Sequence, residues 1–205
     1  MEIYCVDIGS ELCNSFAWAK SKSVHGKTLE GLKDQIKIDL AENKQIALGF
    51  ECPLYFDLKI NSGDVTKCRE RDDRDRASTV GAGAQVSVTG FVQITWLFRQ
   101  LALEVESKPK CGLLTDWAAL SADDQRIFIW EANISNRLKP TYKDYANRHI
   151  EDCLVGLELF EKALIKKELK INRDLEYISL IGSILLRTGW TDELSYLHEP
   201  CLVIK

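Results

Sequence analysis

Three short apolar runs, Glu2 to Ile8, Gln45 to Phe50 and Ile127 to Ala132, are separated by stretches whose apolar residues recur at helical spacing. No other feature constrains the fold as much, because continuous β-branched and aromatic runs read as buried strands, whereas an i, i+3, i+4, i+7 recurrence reads as an amphipathic helix. The helical stretches are Leu29, Leu32, Ile36 and Leu40 after a Thr28 N-cap; Phe91, Ile94, Phe98, Leu101 and Val105; and Ile150, Cys153, Leu154, Leu157, Phe160 and Leu164. Strands alternating with such helices predict an α/β sheet with helices packed on its faces. Ser15 to Lys20 is expected to pair with the first strand through a loop at Ser10 to Asn14. Thr141-Tyr-Lys-Asp144 has the form of a capping box ahead of the third helix, a further helix is expected from about Asp174 to Arg187, and Cys201 to Ile204 reads as an edge strand.

The chain has 205 residues, which suits one domain spanning 1–205. Its net charge of −4 argues against a protein that coats nucleic acid by general electrostatics. An enzyme that bridges phosphates through metal ions tolerates that balance. The seven cysteines show no zinc spacing, so reduced thiols in a cytoplasmic setting are expected. Ala77 to Phe98 lacks charges, yet its glutamines, hydroxyls and glycines make it too polar for a membrane span; it reads as a loop followed by a buried helix.

Four acids stand out by position. Asp7 lies near the end of the first strand, Glu51 ends the second apolar run and Glu131 ends the third. Asp152 falls at the edge of an apolar helical stripe, where Glu151 points more toward solvent. Ligands of open α/β sheets bind outside the carboxyl ends of the strands, so acids distant in sequence can converge there. Convergent carboxylates repel, and a hard divalent cation, Mg²⁺ or Mn²⁺, relieves the repulsion. Alternation sends Ala47, Gly49 and Glu51 to one face of their strand, leaving space beside the carboxylate. The plainer account of each acid is a residue that caps or solvates the end of an element.

The order Val6-Asp7-Ile8-Gly9, then Glu51-Cys52-Pro53-Leu54, then an Arg/Asp-rich segment, then Trp130-Glu131-Ala132 and a helix carrying Asp152, resembles the domain-of-unknown-function 429 family, whose members are predicted RNase H-like nucleases. The resemblance implies an RNase H-like mixed sheet with helices on its faces. It also implies Asp7, Glu51, Glu131 and Asp152 as the metal-binding catalytic acids; the leading reading has Asp7, Glu51 and Asp152 hold Mg²⁺ or Mn²⁺ while Glu131 assists. Glu51 stands where that family more often has an aspartate, which moves the carboxylate by about a methylene and bears on activity rather than on fold.

In the charged segment, Arg71, Arg74 and Arg76 are candidates to hold a nucleic-acid substrate, since guanidinium forks suit phosphate oxygens. The alternative is a solvated loop whose charges neutralise one another. Gly81-Ala-Gly83-Ala-Gln-Val86 lacks the last glycine of a dinucleotide fingerprint and follows no strand. His25, His149 and His198 are isolated in sequence and read as surface or helix-end residues. Two other function classes fit less well. An actin-like ATPase or kinase shares the Asp7-Ile-Gly9 turn, but the chain is short for two lobes; a non-catalytic scaffold of the same fold would use its tryptophans to bind a protein partner.

Overall fold

The computed structural model describes residues 1–58, 62–64, 81–121, 126–134, 145–167, 171 and 175–205. Strands β1 (Glu2–Asp7), β2 (Ala17–Ala19) and β3 (His25–Gly26) form an antiparallel meander. Helix α1 (Leu29–Ala41) then crosses over to β4 (Ile46–Glu51), which runs parallel to β1. The Thr28 side chain accepts from the Gly31 amide, so the N-cap read from sequence forms. Next come β5 (Tyr55–Asp57), α2 (Gly81–Glu104), β6 (Lys110–Leu113), β7 (Arg126–Ala132) and α3 (Arg148–Lys166). The chain closes with β8 (Tyr177–Ser179), α4 (Leu180–Arg187) and β9 (Val203–Ile204).

The main sheet has the order β3-β2-β1-β4-β7-β6, with β9 also parallel to β7, alongside Glu131 and Ala132. It is therefore a mixed sheet: antiparallel at the β1-β2-β3 end, parallel through β1, β4, β7, β6 and β9. Side-chain alternation divides the core in two. Tyr4, Val6, Leu48, Phe50 and Ile129 pack on one face with residues of α1, α2 and α4. Cys5, Ala17, Ala19, Ala47, Phe128 and Trp130 pack on the other with α3. The small residues beneath α3 let the helix lie close to β1 and β2, and Trp130 tilts against Phe160 at 4.8 Å between ring centroids.

Two elements differ from the sequence reading. Helix α2 begins at Gly81, so the glycine-rich stretch is helical and not a loop. Its hydroxyls satisfy themselves on the helix: Ser87 donates to the Gly83 carbonyl, Thr89 to Gln85 and Thr95 to Phe91. The expected helix from about 174 to 187 opens as β8, antiparallel to β5, and α4 starts only after Ser179, whose hydroxyl caps the Gly182 amide. The capping-box residues 141–144 lie outside the described residues. No helix among the described residues is long and apolar enough to cross a membrane.

Candidate metal centre

Asp7 and Glu51 are the last residues of neighbouring parallel strands and pair in register. Register partners project to the same side of a sheet, so both carboxylates leave the face that α3 covers. On α3, His149, Asp152, Cys153 and Gly156 follow i, i+3, i+4, i+7 spacing and form the stripe directed at that face. The ligand atoms of Asp7, His149 and Asp152 all lie within 4.8 Å of one another. Asp152 is only 1 % exposed, and Glu151 beside it is partly exposed.

The imidazole links two charged neighbours. Nδ1 of His149 lies 2.5 Å from Oδ2 of Asp7, and Nε of Arg148 donates to Nε2 of His149 at 3.0 Å. A guanidinium donates and does not accept, so this contact favours the tautomer with the lone pair on Nε2 and the proton on Nδ1, facing Asp7. The turn beyond Asp7 is held by α2, where Nε2 of Gln93 donates to the Gly9 carbonyl at 2.6 Å. The turn that leads into α3 is held by Nζ of Lys27, which donates to the Ala146 carbonyl at 2.6 Å.

Beneath the acids, Cys5 and Cys153 meet through a thiol hydrogen bond. Burial pushes the Cys153 thiol well above its ordinary range, reinforced by the Cys5 contact and by the negative field of Asp7 and Glu51. A thiol so held stays protonated, which disfavours it as a soft metal ligand. The donors at the surface of the cluster are carboxylate oxygens and one imidazole.

Glu131 is not brought to this cluster. It pairs with Phe50, one step out of phase with Glu51, and its side chain therefore leaves the opposite face of the sheet. There it is 2 % exposed, and its Oε2 accepts from the Leu54 amide at 2.9 Å, which secures the turn after β4. Nor is the space beside Gly49 open, because the Trp130 indole lies across it: a Cβ at residue 49 would come within 2.2 Å of the ring. Arg71, Arg74 and Arg76 lie outside the described residues.

From sequence, His149 reads as isolated. Its spacing of three residues before Asp152 on a helix is the signal that places both side chains on one face. Compared with known protein-family models, curated proteins and solved structures, the chain matches none.

Proposed function

We propose that this chain is a metal-dependent phosphodiesterase or nuclease on an RNase H-like sheet, acting on nucleic acid. The observation that carries the reading is the meeting of Asp7, His149 and Asp152 at the carboxyl end of β1, with Glu51 in register beside Asp7. The mixed sheet with helices on both faces is the architecture the family resemblance implies, and it supports the reading at the level of fold alone.

The donor set fits a hard divalent cation. Asp7, Glu51 and Asp152 would hold Mg²⁺ or Mn²⁺ through carboxylate oxygens, and gathering such charges in a largely buried place is costly without a counter-ion. When bound, one or two such ions polarise the phosphodiester and lower the pKa of a water toward neutrality. His149 orients Asp7 by donating to it, and Arg148 orients His149. Glu131 holds the turn after Glu51 and so positions that acid from behind the sheet. Substrate phosphates would be met by Arg71, Arg74 and Arg76, because the chain as a whole is acidic. The six described cysteines are all free thiols, which suits a reducing compartment such as the cytoplasm.

The test combines calorimetric titration of Mg²⁺ and Mn²⁺ with cleavage of labelled single- and double-stranded DNA and RNA, for the native chain and for Asp7→Asn. Saturable metal binding and metal-dependent cleavage, both lost in the variant, are expected. A native protein that binds neither ion and cuts none of the substrates would refute the proposal.

A further inference from the structure

We infer that Arg148 tunes the metal preference of the site: by donating to Nε2 of His149 it keeps the ring a donor to Asp7 and withholds imidazole nitrogen from the cation. The site then offers oxygen ligands alone, and the extra affinity that Ni²⁺ would draw from a nitrogen ligand, relative to Mg²⁺ or Mn²⁺, is lost. The inference rests on the metal-centre reading above and specifies how that centre discriminates between ions.

A neutral imidazole has one lone pair. Here that pair is at Nε2, engaged by Arg148 Nε at 3.0 Å, and the proton at Nδ1 faces Asp7 Oδ2 at 2.5 Å. Ligation through Nδ1 requires the proton to move to Nε2, where it would oppose an arginine N–H that has no acceptor capacity. Arg148 therefore blocks the tautomer in which His149, Asp7 and Asp152 would form a mixed nitrogen and oxygen ligand set. Ni²⁺ gains far more from an imidazole nitrogen than Mg²⁺ does. Because Arg148 acts through another side chain, it is a positioning residue, adjacent in sequence to the histidine it controls.

Nitrogen-15 NMR of the metal-free protein reads the His149 tautomer directly, with assignment by comparison with His149→Phe. The native ring is expected as Nδ1–H, and Arg148→Met is expected to release it to a mixture. In calorimetry, Arg148→Met should tighten Ni²⁺ relative to Mg²⁺ by roughly tenfold or more. Arg148→Lys, which keeps a donor, should retain the native preference, and Arg148→Met/His149→Phe should lose the nickel gain. A native Nε2–H ring overturns the inference, whatever the variants do. So does an unchanged Ni²⁺ to Mg²⁺ ratio in Arg148→Met with Mg²⁺ binding intact, which leaves the metal-centre reading standing. No metal binding by any of these proteins overturns both.

Discussion

Asp7 and Glu51 stand side by side as register partners at the ends of β1 and β4, so their carboxylates share one face of the sheet and lie beneath one helix. The proposed function rests on that pairing, because α3 then adds Asp152 and His149 to the same place. Like charges so arranged raise the free energy of a fold without a counter-ion, and under the proposed function that cost would become affinity for a cation.

Asp7→Asn keeps an acceptor for His149 Nδ1–H while it removes one negative charge. The variant is expected to be as stable as the native chain, or up to about 1 kcal/mol more stable, in the absence of metal. At Mg²⁺ a hundredfold above Kd, the native protein should gain about 2.7 kcal/mol and the variant nothing. Urea denaturation with and without Mg²⁺ reads both effects, and an equal metal-induced gain in the two proteins would exclude Asp7 as a ligand.

Glu131 separates structure from chemistry. Glu131→Gln preserves the acceptor for the buried Leu54 amide and should leave metal affinity intact, whereas Glu131→Ala leaves that amide unsatisfied and should cost roughly 2–3 kcal/mol. Loss of Mg²⁺ binding in a stably folded Glu131→Gln would contradict the placement of this acid behind the sheet.

The seat of α3 is tested at Gly156, where a Cβ would meet the Cys5 sulfur at 2.4 Å. Gly156→Ala should destabilise by roughly 1–3 kcal/mol through overpacking, despite the better helix propensity of alanine. Cys5→Ala/Gly156→Ala should recover most of that loss. Thermal melts of the three proteins decide the matter, and an additive double variant would show that the sulfur is not the obstacle.

At the other end of β1, Asp39 is 1 % exposed and gathers Lys20 at 2.8 Å, Lys44 at 3.1 Å and the Tyr4 hydroxyl. Burial alone would raise its carboxyl, but hydrogen bonds from Lys20, Tyr4 and Lys44 outweigh burial and hold it below the ordinary range. A depressed folded-state value contributes stability above the unfolded value of about 3.9, and that stability is lost as pH falls through the folded value. Native stability should therefore decline below about pH 4, and Asp39→Asn should flatten the decline and cost roughly 2–3 kcal/mol at pH 7, less than for a fully buried pair because Lys44 is partly solvated. Denaturation measured across pH 2 to 7 checks the sign. A slope unchanged in the variant would remove Asp39 from the account.

The three central strands, the Thr28 cap and the paired character of β1 and β2 were legible in local pattern, since burial on a sheet dictates apolar runs and a cap dictates its own residue type. β8 was not, because Tyr177 to Ser179 becomes a strand only by pairing with β5, and that partner is more than a hundred residues away. The glycine-rich start of α2 reads as a loop because glycine is a weak helix former, and the tertiary packing that overrides propensity is not a local property.

For the site, the amino-acid sequence alone determined that acids stand at strand ends and on the inner edge of a helix, because strand period and helix period are local properties. Which acids meet was decided by the tertiary structure. Parallel register put Asp7 beside Glu51, a one-residue offset turned Glu131 to the far face, and the docking of α3 brought His149, with Arg148 behind it, against Asp7. Register and docking depend on contacts between segments far apart along the chain, and no local pattern contains them.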